Sequence, residues 1–281
     1  MPTNTHARPY RSLHRPGGTI AYEDHGAGPL VAMLPGLGDL RQQFRRLAPA
    51  VGAAGMRALT LDLRGHGDST IRWDDYGAEA VASDLIALLD EQGGERAVVV
   101  GNSFGAAAAV VAATDRPDLV AGLVLIGPFV RHHDRPWPMR ALIHAMTSGP
   151  WRVAAWGSFY DSLYPGAKPE DHAEHRAALL ANLRERGRFE AVRAMIARDD
   201  RPVEARLPNV RAPSLVVMGS ADPDFPDPAA EAAIVATALG GEVHMVDGAG
   251  HYPHVEAPEA ANPAIVAFAR RAHVERHRDA A

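Results

Sequence analysis

Cysteine is absent from the 281-residue chain. Disulfides, thiolate metal sites and cysteine nucleophiles are therefore excluded, and covalent chemistry must run through oxygen or nitrogen. Lysine is nearly absent as well: Lys168 stands alone and arginine carries the rest of the basic charge, a bias of composition and not a site. No run of like charge occurs, and the formal net charge is -5. Together these argue against nucleic acid or an anionic membrane as a partner. No apolar run approaches the ~20 residues of a membrane span. The N-terminal stretch with Arg8, Arg11 and Arg15 lacks the apolar segment of a signal peptide, so a cytoplasmic location is expected. Gly36-x-Gly38 and Gly65-x-Gly67 lack the third glycine of a dinucleotide fingerprint, and no cofactor is expected.

What is present is enough for one large α/β domain, with 47% apolar residues and only 6% aromatic ones. Ala97-Val98-Val99-Val100-Gly101-Asn102-Ser103-Phe104-Gly105 reads as a short buried strand, a sharp turn and the start of an alanine-rich helix over 104–114. Gly-x-Ser-x-Gly in that setting is a nucleophile elbow, which raises a serine hydroxyl above the end of a strand. Before it come an edge strand over 19–24 and a strand over 30–34 that runs into Pro35-Gly36-Leu37-Gly38. Asp39 with Gln42 has the form of a capping box opening a helix. A strand over 56–63 closes with Arg64-Gly65-His66-Gly67-Asp68-Ser69, and a helix covers 78–90. After the elbow helix the strand 122–127 follows, and the alternation implies a mainly parallel sheet flanked by helices on both faces.

Between 131 and 206 the alternation stops. Helices broken at Gly149-Pro150, Pro165-Gly166 and Gly187 suggest a helical lid inserted into a core formed by 1–130 and 207–281. Trp137, Trp151 and Trp156 fall in it; they either pack the small helical layer or line a pocket, and they are candidate substrate-binding residues. Strand 214–219, helix 228–239, strand 243–246 and helix 258–272 complete the chain.

A serine hydroxyl needs an imidazole to take its proton, and the imidazole needs a carboxylate to hold its tautomer. Asp222 and His251 stand in loops after the next two strands, in the order nucleophile, acid, histidine that accompanies an elbow. Asp224 and Asp227 are rival acids. His66 reads as part of a structural turn and His254 as a packing residue. His172 and His175 have the i,i+3 spacing of metal ligands, but Asp171 and Glu174 beside them point to a solvated helix face, and no metal is expected.

Pro35-Gly36-Leu37-Gly38, Asp62-Leu63-Arg64-Gly65-His66-Gly67-Asp68-Ser69, the elbow, the loop of Asp222 and Gly250-His251 together resemble the α/β-hydrolase superfamily over nearly the whole chain, in its serine esterase-like branch with a helical lid. The resemblance implies Ser103 as nucleophile, His251 as general base and then acid, and Asp222 as its orienting partner. It also implies an oxyanion hole from the backbone N–H groups of Leu37 and Phe104. Many members have His-Gly where this chain has Pro35-Gly36. The expected reaction is hydrolysis of an ester, lactone or thioester of a small, partly apolar molecule. Serine at the elbow argues against epoxide hydrolases and haloalkane dehalogenases, which use a carboxylate. Two alternatives share the triad: hydrolysis of a carbon-carbon bond, since the elbow is similar to that of the meta-cleavage-product hydrolases, and cofactor-free perhydrolase or haloperoxidase chemistry.

Overall fold

The computed structural model describes residues 10–134 and 136–279, with side chains described as far as Val274. Eight strands form one sheet in the order β1-β2-β4-β3-β5-β6-β7-β8. They are β1 (Arg11–Arg15), β2 (Gly18–His25), β3 (Leu30–Leu34), β4 (Arg57–Leu61), β5 (Ala97–Asn102), β6 (Val120–Ile126), β7 (Ser214–Gly219) and β8 (Glu242–Val246). From β4 to β8 all neighbours run parallel, whereas β1 and β2 pair antiparallel with each other and β2 antiparallel with β4. The expected edge strand is therefore one place inside the edge. β1, which had no clear sequence signal, covers it through a hairpin.

Both faces of the sheet are buried, and the strands show why: side chains alternate between two cores. Ala32, Val99, Leu125 and Val216 face one side, against α2 (Ala78–Glu91), α3 (Phe104–Asp115) and α9 (Pro228–Leu239). Met33, Val100, Val124 and Val217 face the other, against α1 (Leu47–Ala53) and α11 (Pro258–Asp279). Helix α3 is buried from Phe104 to Ala113, and its run of alanines lets the backbone approach β5 and β6 closely. Each large side chain so buried contributes about 1.5–3 kcal/mol.

The chain passes from β3 to β4 on one side and then returns to place β5 on the other side of β3. Connections leave in opposite directions there, which opens a crevice at the carboxyl ends of β3 and β5. Between β6 and β7 the chain adds α4 (Trp137–Thr147), α5 (Arg152–Ser162), α6 (His172–Arg184), α7 (Arg188–Ile196) and the single turn α8 (Arg201–Glu204). The last short helix before α11 is α10 (Pro253–Glu256). The insertion has its own core, in which Trp156, Tyr160, Tyr164, Leu179, Leu183 and Phe189 pack with Leu40 and Tyr252 from the sheet domain. Among the described residues no helix is long and apolar enough to cross a membrane.

Candidate active site

Ser103 stands between the end of β5 and the first turn of α3 with φ +53° and ψ -118°. It is the one non-glycine residue with positive φ among the described residues. Such a backbone costs on the order of 1–3 kcal/mol and persists only where the surroundings impose it. Here they do. A Cβ at Gly101 would lie 2.5 Å from the Gly105 carbonyl group, and one at Gly105 would collide with the carbonyl oxygens of Leu34 and Pro35. The glycines thus let strand, helix and the turn after β3 meet backbone to backbone. The Ser103 N–H donates to Ile126 O at 2.9 Å, which ties the turn to the end of β6. Ser103 is 8% exposed.

His251 and Asp222 come from the loops after β8 and β7. His251 Nδ1 and Asp222 Oδ2 are 2.8 Å apart, and both side chains are buried. They lie over Gly127, where a Cβ would stand 3.0 Å from the His251 ring and 3.2 Å from Asp222 Oδ2. The imidazole and the serine turn therefore rest on consecutive residues, Ile126 and Gly127. Burial disfavours the imidazolium, but the charge of Asp222 and its hydrogen bond outweigh this, with Asp224 and Asp39 adding to them, so the His251 pKa is pushed up to about 9. Of the rival acids, Asp224 is 3.7 Å from Nδ1, while Asp227 caps α9 by accepting from the Ala230 N–H. Asp222, Asp224 and His251 are also close enough together to hold a metal ion. The 2.8 Å His–Asp contact already has the geometry of a proton-carrying hydrogen bond.

The turn after β3 packs against the serine: a Cβ on Gly36 would be 3.2 Å from Ser103 Cβ. Its amides are tied back on either side of Leu37. Gly36 N–H donates to Gln43 Oε1 at 3.0 Å, and Gly38 N–H to His66 Nε2 at 2.9 Å. His66 Nδ1 lies 2.8 Å from Arg64 O, so the ring is neutral with its proton on Nδ1, and burial lowers its pKa to about 4. Leu37 N–H and Phe104 N–H, the latter in the first turn of α3, make no hydrogen bond to the described residues. Asp39 does not cap a helix. A 3-10 turn, Arg41–Phe44, follows it, and the Asp39 carboxylate instead accepts from Leu40 N–H and meets His175 of α6.

Several residues without a sequence signal complete the frame. Asn102 donates to the carbonyls of Ile126 and His251, and its Oδ1 accepts from Gln43 Nε2 at 2.6 Å. One amide pair thus links the strand that leads to Ser103, the His251 loop and the Gly36 turn. Glu256 accepts from Gly250 N–H and Gly166 N–H, joining the histidine loop to the insertion. His254 packs on Phe44 beside Gln43, and burial together with the charge of Arg45 lowers its pKa to about 3.

The insertion departs from expectation at its histidines. His172 and His175 are buried, not solvated: His172 Nε2 meets Asp161 at 2.8 Å and His175 Nε2 meets Asp39 at 2.7 Å. Asp171, whose neighbourhood suggested an exposed face, pairs with Arg45 of the core. The three tryptophans separate. Trp156 is 8% exposed with its indole against Gly38, Trp151 is exposed and donates to Ala145 O, and Trp137 is 78% exposed. Trp137 lines a groove of about 1030 Å³ between α4 and α7 with Arg140, His144 and Arg193. Arg198, also on that groove, lies over the Phe104 ring at 4.5 Å and donates to Phe129 O, and Phe129 touches the His251 ring edge-on.

Known proteins share this plan. Over 92% of its length the chain is 30% identical to the polyketide synthase ThaQ of Burkholderia thailandensis, of which it spans 13%. It is 32% identical to epoxide hydrolase B of Mycobacterium tuberculosis over 54% of this chain and 45% of that one. It superposes on a bromoperoxidase from Bacillus anthracis with a TM-score of 0.76 at 21% identity, covering 89% of this chain and 95% of the other. A model of the Alpha/beta hydrolase family matches residues 31–264. With its sheet order, its strained turn after β5 and this match, the chain belongs to the α/β-hydrolase family.

Proposed function

We propose that the protein is a cofactor-independent serine hydrolase that cleaves a carboxylic ester, lactone or thioester through an acyl-enzyme on Ser103. The observation that carries the reading is a left-handed serine at the end of β5 together with a buried His251–Asp222 hydrogen bond at the same, carboxyl ends of the parallel strands β7 and β8. Ser103 Oγ attacks the substrate carbonyl while His251 Nε2 takes its proton, and Asp222 holds the Nδ1 proton and stabilises the imidazolium. Negative charge then grows on the carbonyl oxygen. Leu37 N–H and Phe104 N–H receive it, helped by the positive end of α3. His251 returns the proton to the leaving alcohol or thiol. In the second half of the cycle it deprotonates a water that attacks the acyl carbonyl, releasing the acid and restoring Ser103.

A serine, not a carboxylate, stands at the nucleophile position, which separates this chain from the chemistry expected of an epoxide hydrolase. The α4–α8 insertion acts as a lid, and the groove beside Trp137 forms the outer part of the substrate site. The test is a panel of chromogenic esters, lactones and thioesters run with the wild-type protein and the Ser103→Ala variant, with product analysis in the presence and absence of peroxide. Acid release abolished in the variant is expected. Turnover of a vinylogous diketone alone, or a peroxide-dependent product alone, would replace the ester reading.

A further inference from the structure

Leu37 lies between two anchored amides, so the place of its N–H depends on what holds the turn as a whole. From below, Gln43 and His66 hold Gly36 and Gly38. From above, the turn is met by the insertion. Asp39, 1% exposed, accepts from Leu40 N–H at 2.8 Å and lies 2.7 Å from His175 Nε2, a residue 136 positions further along on α6 and itself buried. Asp39 Oδ2 makes no well-formed hydrogen bond, and the Tyr252 hydroxyl is the further donor that faces this carboxylate. Without His175, the buried carboxylate would retain one backbone donor and the more distant Tyr252 hydroxyl. An under-bonded buried charge is costly, and the least costly relief is rotation of the carboxylate towards another donor, which moves the backbone that bears it.

Other ties between insertion and core end elsewhere: Arg45 with Asp171, Asn182 with Gly67, Arg188 with Ser69 O, and Gly166 with Glu256. His175 is the polar tie that lands on the turn of Leu37. Around it Tyr160 contacts His175, Tyr164 bonds to Tyr160 by their hydroxyls at 3.0 Å and Tyr252 stacks on Tyr164, so the imidazole is fixed by packing as well as by its bond.

We infer that His175 is a positioning residue, which from the insertion holds Asp39 and so places the Leu37 N–H for the oxyanion, making the oxyanion hole complete only when α6 is seated on the core. This rests on the reading of Leu37 given above. A displacement of about 1 Å in a catalytic group is enough to lose ~100-fold in rate.

The experiment compares wild type with His175→Ala, His175→Gln and Asp39→Asn. Three quantities are read: kcat and KM for a chromogenic ester, affinity for a boronic acid that forms a tetrahedral adduct on Ser103 against affinity for the product acid, and amide hydrogen exchange over residues 36–40. For His175→Ala we expect kcat to fall by ~10–100-fold, with KM changed less than about twofold, boronate affinity falling with kcat, product-acid affinity held and exchange at 36–40 accelerated. His175→Gln, whose amide N–H can reach Asp39, recovers most of kcat. If the alanine variant does not fold, Asp39→Asn keeps the shape and leaves only a neutral, weaker acceptor for His175, and a smaller loss confined to kcat and boronate affinity is expected. Unchanged kcat and boronate affinity, a loss carried by KM alone, or unaltered exchange at 36–40 overturns the inference. Should wild type hydrolyse no ester, the hydrolase reading fails, and the exchange measurement decides the His175 link by itself.

Discussion

The two halves of the site are held together in different ways. At the carboxyl ends of β3 and β5 backbone meets backbone: Gly101 and Gly105 leave no space for a side chain, Gly36 leaves little, and the strained Ser103 is clamped between a strand and a helix. In the insertion above, side chains meet side chains, through stacked tyrosines and histidines and through pairs such as His175 with Asp39 and Arg45 with Asp171. The first construction has no slack and fixes Ser103. The second is a set of separable contacts, so it can change or move without undoing the first.

Substitutions can break that contrast. Gly105→Ala drives a methyl group into the carbonyls that end β3, so the expected outcome is loss of folded, soluble protein or a Tm lower by more than 10 °C, read by circular dichroism. An alanine at the exposed Trp151 should leave Tm within about 2 °C. Next in size, Asp222→Asn should lower kcat by about 10⁴-fold with the fold intact, because the imidazole loses the carboxylate that fixes its tautomer.

The pH dependence sharpens the same point from within the rigid half. In the proposed mechanism His251 must be neutral to accept the serine proton, and Asp222 favours the charged form up to about 9. Activity should therefore rise with pH, kcat/KM reaching its plateau only as the pH passes an apparent pKa displaced from 6.5 towards 9. In Asp222→Asn burial remains and the largest opposing charge is gone, with Asp224 at 3.7 Å left, so the acid limb of the residual activity should move to lower pH. His254, three residues on and equally buried, lies at the opposite extreme, its pKa lowered to about 3 by burial and by the charge of Arg45. An acid limb that stays in place in the variant would refute the assignment of Asp222.

The smallest effects belong to the insertion's aromatic residues. Trp156→Ala removes the indole from Gly38 and should cost about tenfold in kcat/KM, whereas Trp137→Ala and Trp151→Ala should change turnover of a short ester less than about twofold. A longer acyl or alcohol group that reaches the groove should separate Trp137 from Trp151, raising KM for the Trp137 variant alone.

The same contrast accounts for what the sequence discloses. Elbow, Asp222 and His251 are legible because each is set by neighbours in the chain: glycines at the turn, or a loop directly after an apolar strand. Asp39 looks like a helix cap because the residue it serves, His175, is 136 positions away. His172 and His175 look solvated because their chain neighbour Asp171 is acidic, yet that carboxylate turns to Arg45 while the histidines face inward. Gln43, Asn102 and Glu256 carry no local sign of their role, since each bonds across the fold between elements distant in sequence. Strand β1, with one buried residue in five, lacks the apolar run that identifies the inner strands.

The most direct test of the account is labelling with a fluorophosphonate, which reports an activated serine without any knowledge of the substrate. One adduct is expected, mapped by mass spectrometry to Ser103, forming faster as pH rises towards 9, slowed in Asp222→Asn and absent from Ser103→Ala. An unlabelled wild-type protein, or an adduct that persists in Ser103→Ala, would contradict it.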